Sequence, residues 1–179
     1  MPLMNDQEVA QWSGRRGIDQ RGRKLVFTAP YDRWIVVELP SAAAKRLMLA
    51  GDLLLLGDAD VRVSYLLWIS TWKIWNEWSN DLGTFIVTNL RTKTGEVVSL
   101  DEKSAQLFDG DERKLPTAIV WQAMLLNWDL FIVPETGAYI VECSHDELVW
   151  IMCKTEEVHN RILDRLAHWK PITRQLITA

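Results

Sequence analysis

The sequence predicts an α+β fold, in which about four helices pack on a mainly antiparallel sheet made of hairpins and a C-terminal three-strand meander. Short runs of β-branched and aromatic residues alternate with turn sequences, which is typical of strands. Other stretches space their apolar residues three and four apart, as amphipathic helices do. The sequence lacks the glycine-rich strand-to-helix turns of a parallel sheet, and we therefore expect an antiparallel one.

The chain begins with a basic segment that differs from the rest. Residues 1–24 carry five basic and three acidic side chains, a net charge of +2, which leaves −6 on residues 25–179. The segment is either an arm that binds phosphate or acidic groups, or a flexible solvated leader. We prefer the leader, and predict a single globular domain over residues 25–179.

The first part of this domain predicts two strands and a helix. Residues 24–28 and 34–39 are rich in β-branched and aromatic side chains, and the turn sequence between them predicts that they pair. Ser41 then predicts the N-cap of a helix over residues 42–50. Gly51, immediately after that run, is expected to end the helix.

Two hairpins are predicted in the middle of the chain. The first joins residues 52–56 to 61–67 across a Gly-Asp-Ala-Asp turn. The second joins residues 84–90 to 96–100 across Thr-Lys-Thr-Gly. The acid-rich residues 101–114 that follow are expected to form a surface loop.

The C-terminal third predicts a helix, a meander and a last helix. The first helix is expected over residues 116–127. The meander comprises the apolar runs 130–133, 138–143 and 148–153. Thr155 caps the last helix, and its buried stripe is predicted to be Val158, Ile162, Leu166 and Trp169.

Tryptophan is unusually frequent, at ten residues, and four of these lie between positions 68 and 78. On a helix, Trp68, Trp72, Trp75 and Trp78 fall within an arc of about 120°. The simplest interpretation is a core stripe. The alternatives are an interface with a partner or a second copy, and stacking against sugar rings or bases.

Candidate residues for catalysis are few. Glu142, His145 and Asp146 crowd one turn and are chemically suited to bind a metal or to acid–base work, although such residues are also ordinary in turns. Cys143 and Cys153 are expected to be core residues. No phosphate loop, nucleophile elbow or paired-cysteine metal motif is present in the sequence, and we predict no cofactor.

The composition supports a cytoplasmic protein, because no secretory signal or membrane-length apolar run is visible. We hypothesise a non-enzymatic module that binds a basic protein, for example a bacterial immunity or antitoxin protein that inhibits a toxin. Binding to nucleic acid or to membranes is not expected. The residues predicted to contact the partner are Trp68, Trp72, Trp75, Trp78, Asp109, Asp111 and Glu112.

Two other functions stay open from the sequence. One is a hydrolase or metal-dependent enzyme whose acidic and histidine residues come from several elements. The other is a binder of carbohydrates or other small ligands that uses exposed tryptophans.

Overall fold

The computed structural model describes residues 3–21, 24–27, 30–57, 64–69, 79–93, 95, 96, 98 and 102–175. Over these residues it contains ten strands and five α-helices, followed by a 3₁₀ turn at Ala167–Trp169. The strands are β1 (Leu3–Met4), β2 (Ile18–Arg21), β3 (Lys24–Phe27), β4 (Arg33–Glu38), β5 (Tyr65–Ile69), β6 (Ala105–Phe108), β7 (Leu130–Pro134), β8 (Tyr139–Cys143), β9 (Leu148–Cys153) and β10 (Ile172–Gln175). The helices are α1 (Asp6–Gly14), α2 (Ala43–Leu53), α3 (Ser79–Thr92), α4 (Lys114–Leu125) and α5 (Glu156–Arg165).

Eight of the described strands form one sheet in the order β1-β6-β5-β7-β8-β9-β4-β10. Each of its strand pairs is antiparallel. Strands β2 and β3 form a separate antiparallel hairpin. The predicted α+β class with a large antiparallel sheet is confirmed.

The main sheet is buried on both faces. On one face, α2, α3, α4 and α5 cover a core that includes Leu67, Ile132 and Val141. On the opposite face, α1 and the β2–β3 hairpin supply Val9 and Ile18 to a second core. Every residue of β5 and of β7 is buried, because the side chains of a strand alternate between its two faces and both faces are covered here.

Much of the predicted leader belongs to the second core, which differs from the flexible segment expected over residues 1–24. Leu3, Val9 and Ile18 are at most 4% exposed. Strand β1 pairs with β6 at one edge of the sheet. Charged residues separate the apolar ones over residues 3–21, so the sequence does not indicate that this segment is buried. The burial of Val9 and Ile18 is seen only in the folded chain, where they pack against one face of the sheet.

Arg16, within the basic run, is held by the fold. Its guanidinium carbon lies 3.3 Å from the centroid of the Trp12 ring, and its Nε donates to the carbonyl of Glu135 at 2.9 Å. The Arg16 carbonyl accepts hydrogen bonds from Lys154 Nζ at 2.9 Å and from the Tyr31 hydroxyl at 3.2 Å. This residue therefore ties the N-terminal segment to the β7–β8 turn.

The hairpin predicted at residues 84–90 and 96–100 is wrong, because residues 79–92 form helix α3. The run Thr84-Phe85-Ile86-Val87-Thr88 has the composition of a strand, and this composition misled the prediction. In the structure, Gly83, Val87 and Arg91 are buried at a spacing of four residues. Packing against α4 thus overrides local β-propensity.

Several predicted pairings are also wrong. Helix α2 continues through Gly51 and includes residues 52 and 53, which were expected to begin a strand. Strand β5 pairs with β6 and β7 rather than with residues 52–56. Strand β3 pairs with β2, and β4 pairs with β9 and β10. The loop expected at 101–114 contains the buried strand β6, and β10 was not predicted.

The C-terminal third matches its prediction closely. Strands β7, β8 and β9 form the expected meander. Helix α4 lies where it was predicted, and the Thr155 hydroxyl caps α5 by accepting from the Val158 N–H. Cys143 and Cys153 are buried free thiols, as expected for core residues.

Two helical glycines provide a test of the packing of α3. A Cβ on Gly83 would clash with Leu126 Cδ1 and lie 2.6 Å from Trp128 Cζ2, whereas a Cβ on Gly51 would have no neighbour within 4 Å. We expect Gly83→Ala to lower the free energy of unfolding by about 1–3 kcal/mol. Gly51→Ala should raise it by about 0.5–1 kcal/mol. Urea denaturation measures both, and a stabilising Gly83→Ala would contradict this packing.

Candidate functional site

The predicted tryptophan stripe is only partly described. Trp68 lies on β5 rather than on a helix, and residues 70–78, with Trp72, Trp75 and Trp78, lie outside the described residues. Trp68 is 4% exposed, stacks on Phe131 with the ring centroids 5.2 Å apart, and donates from Nε1 to Ser104 Oγ at 3.2 Å. Trp68 is therefore a core residue, and the use of the other three stays a prediction.

Glu142, His145 and Asp146 come together with a residue that the sequence analysis missed. Asp129, directly before β7, lies with its Oδ1 at 2.7 Å from His145 Nδ1 and accepts the His145 backbone N–H at 2.8 Å. On the other side of the ring, His145 Nε2 is 3.4 Å from Asp146 Oδ1. Asp129 lies 16 residues before His145 in the sequence. The two residues meet because β7 pairs with β8, and no local sequence pattern indicates this contact.

The environment of Glu142 differs from that of an ordinary surface carboxylate. Burial raises the pKa of Glu142 to about 7, and the nearby negative charge of Asp129 adds to this rise. His145 lowers the pKa and Asp146 raises it. Glu142 can therefore exchange a proton near neutral pH. Among the described residues, no group of three or more His, Cys, Asp or Glu side chains is arranged to hold a metal ion.

Helix α2 presents a different kind of site, an exposed apolar row. Its inner positions Leu49 and Leu53 are fully buried. Its outer positions Leu47 and Met48, with Leu55 just beyond its C-terminus, are 41%, 62% and 52% exposed. We call these three residues the α2 row. At 100° per residue, Met48 and position 55 lie about 20° apart and Leu47 lies about 100° from Met48, so all three lie on the side of the helix that faces away from Leu49 and Leu53.

A groove of about 560 Å³ borders the α2 row on the side of β10. Met48 forms one wall and Ile172, itself 51% exposed, forms another. Trp169 also lines the groove, and its indole Nε1 donates to Asp52 Oδ2 at 2.8 Å. The groove thus carries apolar side chains from α2 to β10, and Glu38, Lys45, His168 and Lys170 also line it.

The predicted acidic partner residues lie at the other end of the α2 row. Asp109 and Asp111 are exposed, and Glu112 is half-buried. We call residues 109–112 the acidic turn. Tyr65 donates its hydroxyl to the Glu112 carbonyl at 2.6 Å, and Arg113 Nη1 donates to the Leu54 carbonyl at 3.0 Å. These contacts join the acidic turn to the end of α2.

The raised pKa of Glu142 predicts a pH-dependent stability. An unfolded Glu ionises near pH 4.5, so the folded state holds an extra proton between about pH 4.5 and about pH 7. The stabilisation is complete below that range and is lost as the pH rises through it. We expect the free energy of unfolding of Glu142→Gln, relative to that of wild type, to rise by about 1–2 kcal/mol between about pH 5 and pH 8.

Chemical denaturation of both proteins across this pH range measures the effect. The exposed Glu157 provides the matched control, because Glu157→Gln removes the same charge without burial. If the free energy of unfolding changed with pH equally in the two variants, the raised pKa of Glu142 would be contradicted.

Within the described part of the chain, no helix combines the length and the apolar content needed to cross a bilayer. Comparison with family models, with curated proteins and with solved structures finds no significant match to this chain.

Proposed function

We propose that this protein works by binding another protein through the α2 row, and that the partner is basic. The observation that carries the proposal is the exposure of Leu47, Met48 and Leu55 on one side of α2. Single exposed apolar residues are common on proteins, but a row that borders a partly apolar groove is typical of an interaction surface.

The composition of the surface supports an adaptable interface. Met48 is the most exposed member of the α2 row, and methionine side chains adjust easily to the shape of a partner. The groove beside it can accept an apolar side chain of the partner as an anchor, which is how many interfaces gain most of their affinity.

The charge of the chain supports a basic partner. The formal net charge is −4, and the acidic turn, with the exposed Asp109 and Asp111, directly precedes Arg113, which binds the Leu54 carbonyl at the end of α2. Complementary charges at the rim of an interface speed association and select partners. An inhibitor of the immunity or antitoxin type, acting on a basic toxin, is one class of protein with these properties.

A crosslinking experiment on the full chain tests this proposal. A photo-crosslinking residue at position 48 should capture a protein in the source cell, whereas one at Gln7, exposed on α1 at the opposite face of the sheet, should not. The captured protein is then identified and purified, and its binding is measured against three proteins: wild type, Met48→Glu and Gln7→Glu.

We expect Met48→Glu to weaken binding at least tenfold, because it buries a charge in an apolar contact. Gln7→Glu, with the same change of charge, should bind like wild type. A basic partner also predicts that binding weakens as salt is added. The proposal fails if position 48 captures nothing beyond the Gln7 control, or if Met48→Glu binds the purified partner like wild type.

A second candidate function is acid–base catalysis at His145, favoured by the Asp129–His145 contact of 2.7 Å. A carboxylate at Nδ1 holds the proton there and leaves Nε2 of a neutral imidazole as a base. p-Nitrophenyl acetate and p-nitrophenyl phosphate are suitable probes. Hydrolysis that falls at least about 100-fold in His145→Ala, and not in the control His159→Ala on the half-buried histidine of α5, would support it. Equal rates in both variants would exclude it for these reactions.

A further inference from the structure

A second cavity lies between the end of α2, helix α5 and the sheet. It has a volume of about 590 Å³, within the usual range for small-molecule sites. Its apolar walls include Leu53, Leu56, Ile132 and Leu166. These walls can enclose the carbon skeleton of a ligand.

Three arginines line this cavity: Arg113, Arg161 and Arg165. Arg113 Nη1 donates to the Leu54 carbonyl, and Arg165 Nη1 donates to the carbonyls of Leu55 and Gly57. These bonds position the two guanidinium groups at the C-terminal end of α2, where cations also interact favourably with the helix dipole.

Capping of α2 explains only part of this arrangement. A guanidinium group has five N–H donors, and the bonds to α2 use one nitrogen of Arg113 and one of Arg165. Arg161 stands one turn before Arg165 on α5, and so lies on the same side of the helix. The lining therefore brings a third arginine, Arg161, next to the two that cap α2.

The negative charge among the described lining residues comes from Asp52. Its Oδ2 already accepts from Trp169 Nε1 at 2.8 Å and lies 3.1 Å from His168 Nε2. Among the described lining residues, three cations accompany one carboxylate, which Trp169 and His168 already engage.

Tyr139 adds a neutral donor at the centre of this lining. Its side chain is 6% exposed, and its hydroxyl lies 3.7 Å from the position of a Cβ on Gly57. Burial raises the pKa of Tyr139 to about 12, while Arg161, Arg165 and Arg113 oppose the rise, which places all three near this phenol. The phenol stays protonated at neutral pH and can donate to an anion.

We propose that this cavity binds a small organic anion, a phosphate monoester or a carboxylate with an apolar body. The arginines and the Tyr139 hydroxyl bind the anionic group by charge-assisted hydrogen bonds, and the leucine-rich walls enclose the remainder. This site adjoins the α2 row at Leu55, which lines the cavity, and the proposal does not rest on a protein partner.

Phenyl phosphate is the probe for this site, with benzyl alcohol as its uncharged counterpart. Titration of the ¹⁵N-labelled full chain, followed by amide NMR shifts, measures both affinity and location. We expect saturable shifts at Leu55, Gly57, Tyr139 and Arg165 with phenyl phosphate, and no saturation with benzyl alcohol at equal concentration.

Two variants leave the α2 caps intact. Gly57→Leu fills the space beside the Tyr139 hydroxyl and should weaken phenyl phosphate binding at least tenfold. Tyr139→Phe removes one donor and should weaken it about three- to tenfold. Two control variants, at the exposed Gly14 and Arg15 of the opposite face, are Gly14→Leu and Arg15→Gln, and both should bind like wild type.

Arg161→Gln removes one cation of the lining and should weaken binding at least tenfold relative to Arg15→Gln. A native-like spectrum of each variant shows that it has folded. The proposal is overturned if wild type shows no saturable shift up to about 20 mM probe. It is also overturned if the shifts lie elsewhere, or if Gly57→Leu and Tyr139→Phe bind like wild type.

Discussion

Burial of the central strands on both faces governs how the other elements of this protein are arranged. Strands β5 and β7 expose no residue, so each face of the sheet needs its own cover. The four later helices cover one face, and α1 with the β2–β3 hairpin covers the other. A sheet solvated on one side would have left Leu66, Phe131 and Ile140 in water, at a cost of about 1.5–3 kcal/mol for each large side chain.

Arginines complete this architecture by binding backbone carbonyls and, at Arg46, also a carboxylate. Arg16 connects the N-terminal segment to the β7–β8 turn, and the buried Arg46 donates to the Pro40 carbonyl at 2.7 Å and to Glu147 Oε1 at 3.0 Å. Arg113 and Arg165 bind the end of α2 in the same way. Because a planar guanidinium has several donors, the residues that close the fold around α2 also supply the positive lining of the anion cavity.

Helix α2 therefore connects the sites proposed above. Its inner side packs into the core, its outer side forms the α2 row, and its C-terminal end forms one wall of the cavity. The acidic turn adjoins the same end through Arg113 and Tyr65. A protein partner and a small anion would thus bind to neighbouring surfaces of one helix, while the Asp129–His145 pair lies in the meander, at the start of β7 and the β8–β9 turn.

Features that depend on neighbouring residues could be predicted from the sequence. The meander, α4 and the Thr155 cap were predicted because turn and capping residues act within a few positions of one another. Tertiary structure decided the rest. Residues 84–90 form a helix because α4 offers a closely packed surface at Gly83, and Arg16 and Asp129 find partners that are remote in sequence. Such contacts depend on strand order, because pairing between distant strands is stabilised by burial across the whole sheet, which no local pattern encodes.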